Sequence, residues 1–277
     1  MVLRSMSTNE VLGNTAAHFF KSGNVLRAEG YDDLAKLKDL FPTDLKIEYD
    51  VWYDRNDKDA VHGYCYTDLL NQFLYIRPAC TVRVYQTMID AAQSEITDEG
   101  RMLLDKVQTS SDKYRLRKDK SQPKFVVFMA GTNIWNKITD LGRLRNAVNQ
   151  GAFLKPHPIT ARPMLAYLKK QFPDRVLGEN HSGYNLLEEA DIVGVYTNSE
   201  MGISAIARDK KVYLFNDQRD MYTFSGLYNA VCPGGAPSKE RLLRVLSCKS
   251  SGLIPLHAPN PQEYVDGFFK RFEGLNV

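Results

Sequence analysis

The chain has 277 residues and a formal net charge of +3, with 43% hydrophobic, 11% aromatic and 25% charged residues. That balance excludes a disordered polyelectrolyte, and the length suffices for one large core or two modest ones, two domains being the natural expectation. No apolar run reaches the roughly 18 residues that a membrane helix needs, and the first residues lack the layout of a secretion signal, so a cytoplasmic protein is expected.

Along the chain, residues 1–24 read as helix-compatible pieces ending in the turn Ser22-Gly23-Asn24. Apolar residues at 34, 37, 40 and 41 predict a helix over 31–41 that stops before Pro42. Period-two alternation then predicts a half-buried strand over 45–53. The polar stretch that follows holds Asp54, Asp57 and His62, the densest set of proton acceptors in the first half. One of these carboxylates or the imidazole could act as a general base, and a solvated acidic loop is the plain alternative. Short apolar segments over 65–92 surround Pro78, and 84–107 reads as one helix with Gly100 as its weak point.

The four cysteines, Cys65, Cys80, Cys232 and Cys248, form no C-x-x-C pair, which points to reduced thiols rather than zinc ligands or disulfides. The run Lys113-Tyr114-Arg115-Leu116-Arg117-Lys118-Asp119-Lys120 concentrates basic charge, either as a solvated face or as a phosphate-contacting patch. A new unit is expected to begin just after it, where 124–131 is the clearest buried strand, ending in Gly131-Thr132-Asn133.

From there helix and strand alternate: helix 139–149, strand 152–155, helix 161–171, strand 175–178, helix 183–189, strand 191–196, helix 200–208, strand 211–215. That order predicts a doubly wound parallel sheet. Helices near 222–229, 238–248 and 262–273 complete the chain. Two motifs emerge at strand ends on one edge of this sheet, Lys155-Pro156-His157-Pro158 and Thr197-Asn198-Ser199-Glu200-Met201-Gly202. Ligands of open α/β sheets bind along that edge. Ser199 as an N-cap would leave the N–H groups of Glu200, Met201 and Gly202 as first-turn donors for an anion, with Lys155 and His157 adding charge from the neighbouring strand. A structural cap and a plain turn are the alternatives.

The Lys-x-His-Pro segment, Ala190-Asp191 at the head of a strand, the Ser-x-x-Gly turn and the strand at 211–215 resemble the donor half of GT-B glycosyltransferases over about residues 122–217. The likeness is to capsule-polysaccharide transferases of the Kps kind and, more distantly, to bacterial sialyltransferases. It implies a two-domain GT-B-like α/β fold: an acceptor-side domain over 1–120, a nucleotide-sugar-binding domain over 121–260, and a last helix, 261–277, returning to the first. It also implies that His157 and Ser199 hold nucleotide phosphates, with Glu179, Asn180 or backbone groups reading the base. Position at the same strand edge adds Gly131, Thr132, Asn133, Lys155, Pro158, Met201 and Gly202 as expected donor-site residues, a turn without ligand being the alternative for Thr132 and Asn133. Glu200 stands where the family often has Ser or Thr, so the ribose contact would be missing or would move to Glu200.

The expected activity is transfer of a hexose, glucose from UDP-glucose first, to an acceptor hydroxyl, with Asp54, His62 or His157 catalytic and no metal or tightly bound cofactor. Size and layout are similar to phage transferases that glucosylate hydroxymethylcytosine already carrying glucose, which makes such DNA the first expected acceptor. The alternatives are a capsule or lipopolysaccharide transferase using a CMP- or UDP-sugar and a nucleotide-sugar 2-epimerase.

Overall fold

The computed structural model describes residues 47–49, 64–70, 72–78, 81–110, 123–131, 139–157, 160–178, 181–216 and 223–273. The first half contributes strands β1 (Ile47–Tyr49), β2 (Tyr64–Leu69) and β3 (Phe73–Pro78), then helices α1 (Thr81–Ala91) and α2 (Asp98–Gln108). The alternating region gives β4 (Phe125–Phe128), α3 (Leu141–Asn149), β5 (Phe153–Lys155), α4 (Arg162–Gln171), α5 (Gly183–Glu189), β6 (Ile192–Val195), α6 (Met201–Ala207) and β7 (Lys211–Leu214). The chain continues through α7 (Ser225–Val231), α8 (Lys239–Ser247), β8 (Leu253–Pro255) and α9 (Gln262–Lys270).

The alternating region forms a parallel sheet in the order β5-β4-β6-β7. Val176 adds a parallel bridge to Leu154 beyond β5, so the strand expected at 175–178 is a single bridged residue there. In chain order the sheet therefore reads 3-2-1-4-5, the winding of a dinucleotide-binding half. Alternation along β4 shows the double layer directly. Phe125, Val127 and Met129 join Leu144 and Ala147 of α3 and Leu168 of α4, whereas Val126 and Phe128 join Leu186 and Leu187 of α5 and Ile203 and Ile206 of α6. Each large aliphatic side chain buried in this way contributes roughly 1.5–3 kcal/mol. The fold is α/β with a doubly wound parallel sheet, as the helix-strand alternation predicts.

The second sheet has the order β1-β2-β3-β8 and is mostly antiparallel. Its last strand comes from Leu253–Pro255, far beyond the expected boundary near 120. Gly252 makes that return possible. Its φ is +86°, and a Cβ there would lie 2.1 Å from the Ile76 carbonyl oxygen, while its own carbonyl accepts from Ile76 N at 2.7 Å. α9 packs on β8 through the buried Phe268, and Arg271 pairs with Asp90 of α1.

The single helix expected over 84–107 is two helices. Thr97 is the reason, because its Oγ1 accepts from Gly100 N at 3.0 Å and starts α2 afresh. α1 then packs against α7 and α8, and α2 against α8 and α6. One hydrophobic cluster runs from Leu69, Phe73 and Tyr75 through Met88 and Leu103 to Leu227, Val193 and Phe128, so the core crosses the stretch where a domain boundary is expected. The helix at 31–41, the Gly23-Asn24 turn, Asp54, Asp57, His62 and the basic run 113–120 lie outside the described residues.

Candidate functional site

The direction of winding reverses between β4 and β6: β5 is laid down on one side of β4, and β6 and β7 on the other. The crevice outside the carboxyl ends of those two strands is the expected ligand position in such a sheet. Gly131 lies there, buried, three residues past β4. Lys155 is the last residue of β5, only 3% exposed, and its Nζ donates to the Pro156 carbonyl at 2.8 Å. His157 follows, half-buried, with its carbonyl accepting from Thr160 N at 2.9 Å. Thr197 to Gly202 leave the end of β6. The ends of β5 and β6 stand two strand spacings apart, roughly 10 Å, with β4 between them. The two motifs therefore flank the end of β4 rather than meet at one atom. Thr132, Asn133, Pro158, Glu179 and Asn180 lie outside the described residues.

The serine turn differs from its sequence reading in what its donors face. Ser199 Oγ accepts from Met201 N at 3.3 Å, so Ser199 does cap the turn, while the helix itself begins at Met201. The hydroxyl of Tyr228, from α7, donates to the Ser199 carbonyl at 2.6 Å. That oxygen lies close against Gly202, while Ile203 N–H donates to the Glu200 carbonyl at 3.0 Å. Burial, first, and then the nearby Cys232 and Glu200 raise the Tyr228 pKa well above its ordinary 10.0, so the ring stays a neutral phenol. A Cβ on Gly202 would fall 2.1 Å from that oxygen, so only glycine fits beside Tyr228. The expectation that Met201 keeps its N–H for an anion is corrected here, because Ser199 takes it, and the Tyr228 hydroxyl occupies the space beside Gly202.

Glu200 also faces elsewhere than a ribose. Its Oε2 accepts from the backbone N–H of Leu70, at 2.8 Å, in the turn between β2 and β3.

Polar groups that sequence reading missed surround the end of β6. Thr197 N donates to Asn216 Oδ1 at 2.8 Å, Asn216 Nδ2 donates to Thr197 Oγ1 at 2.8 Å, and Ser225 Oγ lies 3.0 Å from Thr197 Oγ1, all buried. The only sequence signal for this knot is a polar residue soon after each of two apolar strands. Beside it, the Tyr196 hydroxyl faces Thr139; burial raises the Tyr196 pKa, the Thr139 contact lowers it less, and Asp140 raises it further. The buried oxygens Tyr196 Oη, Thr139 Oγ1 and Asn198 Oδ1 make no well-formed hydrogen bond. Orphaned buried oxygens at a strand edge mark a place where water or ligand completes the structure. Among the described residues, no three His, Cys, Asp or Glu side chains converge on a metal position, and no helix is long and apolar enough to cross a membrane.

No protein-family model matches this chain, and no curated protein matches it. Among solved structures it is similar to KpsC of Thermosulfurimonas dismutans, a beta Kdo 2,7 transferase. The two are 15% identical, the match covers 86% of this chain and 90% of that one, and the TM-score is 0.46. A likeness at this level gives no residue a role.

Proposed function

We propose that the chain is a glycosyltransferase that holds a nucleotide sugar at the β4–β6 switch point and transfers the sugar to a glycan hydroxyl of the capsule or lipopolysaccharide kind. The observation that carries this reading is the flanking of the switch point by Lys155-Pro156-His157 on one side and Thr197 to Glu200 on the other. The resemblance of those motifs to the GT-B donor half adds to it. In the reaction the bond from the anomeric carbon to the phosphate oxygen breaks, the acceptor oxygen bonds to that carbon, and the acceptor proton leaves to a base. Lys155 and His157 stabilise the negative charge that grows on the departing phosphate, an effect that speeds the step only as far as it is stronger in the transition state. Asp54 and His62 are the proposed bases, and Thr132, Asn133, Pro158, Glu179 and Asn180 are proposed to complete the donor pocket.

UDP-glucose and a DNA acceptor have no structural observation behind them, since the basic run lies outside the described residues. Donor and acceptor are therefore tested broadly. Calorimetric titration with UDP-glucose, UDP, CMP and a CMP-sugar should give saturable binding of at least one nucleotide sugar. In His157→Ala that binding should weaken about tenfold to a hundredfold, the loss expected of one charge-assisted hydrogen bond. Absence of binding by every nucleotide sugar, or equal affinity in the variant, refutes the proposal. Conversion of the sugar nucleotide without any acceptor would show an epimerase instead.

A further inference from the structure

The turn that leaves β6 is gripped from outside its own sheet. Phe224 N donates to the Thr197 carbonyl at 3.2 Å, Ser225 Oγ meets Thr197 Oγ1, and Tyr228 donates to the Ser199 carbonyl. Phe224 stacks on Tyr75 of β3, with ring centroids 6.1 Å apart. Glu200 closes the circuit by accepting from Leu70 N at the tip of the β2–β3 hairpin, a contact spanning 130 residues of chain. Leu70 is 1% exposed and holds φ at +59°, a left-handed backbone that a leucine adopts only under constraint. A buried N–H in that conformation needs an acceptor, and the Glu200 carboxylate supplies one.

We propose that Glu200 is a positioning residue: it clamps the hairpin tip of the second sheet to the donor turn, so that hairpin and turn move as one unit and the hairpin forms a fixed wall of the switch-point crevice. This rests on the glycosyltransferase reading for what the crevice holds, but the clamp itself does not depend on it. The role is distinct from the ribose contact that the sequence resemblance implies, because the carboxylate oxygen faces a backbone amide of this chain. Reach, rather than charge, is what the clamp requires. Gln keeps the reach and an acceptor oxygen; Asp keeps the charge and loses one methylene.

Amide hydrogen exchange on the full chain, followed at residues 69–73, reads the clamp directly. In Glu200→Ala and Glu200→Asp these amides should exchange about ten- to a hundredfold faster than in the unaltered protein, with the amides of β6 and α8 unchanged. Glu200→Gln should restore protection to within about threefold. Should the alanine variant fail to fold, the aspartate and glutamine pair carries the comparison alone. Nucleotide-sugar affinity, measured on the same proteins, should fall with Asp and return with Gln. Equal protection in all variants, or a glutamine variant as unprotected as the aspartate one, overturns the clamp. Restored protection with affinity still lost in the glutamine variant overturns the positioning role and gives the carboxylate a direct ligand contact. If no nucleotide sugar binds the unaltered protein, the function reading fails while the exchange data still decide the clamp.

Discussion

Tyr228→Phe separates a closed helix start from an open one. The ring stays in place, so no cavity forms, and only the hydroxyl is lost. What remains is a half-buried Ser199 carbonyl without its 2.6 Å donor; Ile203 N–H keeps the Glu200 carbonyl at 3.0 Å. Leaving a buried acceptor unsatisfied costs about 1–3 kcal/mol, so this half-buried one should cost about 1–2 kcal/mol. For a chain of this length that corresponds to a melting point lower by roughly 2–4 °C. Urea denaturation should show the same loss as a lower midpoint at unchanged slope. The geometry supplies a second check. Gly202→Ala puts a Cβ 2.1 Å from the Tyr228 oxygen but 3.0 Å from Cζ, so removing the oxygen relieves the worst contact. The alanine should therefore destabilise less in the phenylalanine background than alone, with a coupling of about 1 kcal/mol or more. A Tyr228→Phe cost below about 0.5 kcal/mol, with additive effects of the two changes, would mean that the hydroxyl does not close the turn.

Cys232 gives an alkaline prediction. Burial pushes its thiol from the ordinary 9.0 up to about 12, so the folded protein keeps a proton that the unfolded chain releases. Its contribution is complete below pH 9 and is lost as pH rises toward 12, at a slope approaching ~1.4 kcal/mol per pH unit. Between pH 9 and 10, before the buried tyrosines Tyr196 and Tyr228 add the same trend, stability measured in urea should fall less steeply in Cys232→Ala; equal slopes would contradict this. Arg208 gives a test of helix joining. Its guanidinium donates to the carbonyl of Val107 in the last turn of α2, to that of Ser110 just beyond it and to Ser204 of α6, and it lies over the Tyr184 ring. Arg208→Met should cost about 2 kcal/mol in the same assay, and Arg208→Lys should recover little, because one ammonium cannot reproduce the planar fork.

The parallel sheet was legible because β4 and β6 are continuous apolar runs buried on both faces, a pattern set by the chain's own local chemistry. Strand ends carrying Lys155 and Ser199 could be placed on one edge for the same reason. β8 was not legible: Leu253–Pro255 is three residues long and becomes a strand only because Gly252 lets it approach Ile76. The break between α1 and α2 hid behind a helical apolar pattern, and only the Thr97 side chain shows it. At the site, sequence reveals who stands at a strand end but not which partner faces it. Tyr228 lies 26 positions beyond Gly202, and nothing local announces that its hydroxyl meets that turn. Glu200 reads as a residue beside a ligand until the Leu70 amide is seen against it.

These misreadings share a physical origin. A helix start at the end of an isolated parallel strand has unpaired donors, and a sequence motif invites a ligand to satisfy them. Here α6 starts against α7 and the β2–β3 hairpin, and those neighbours satisfy the Ser199 carbonyl with a tyrosine hydroxyl and draw the one carboxylate of the turn to themselves. The orphaned oxygens are displaced to the other side of β6, at Tyr196, Thr139 and Asn198. β4 lies between the strands that carry the Lys155 and Ser199 motifs. Loss of binding should accordingly be larger for changes at His157 than at Met201 or Gly202, whose inner faces already have partners within the fold.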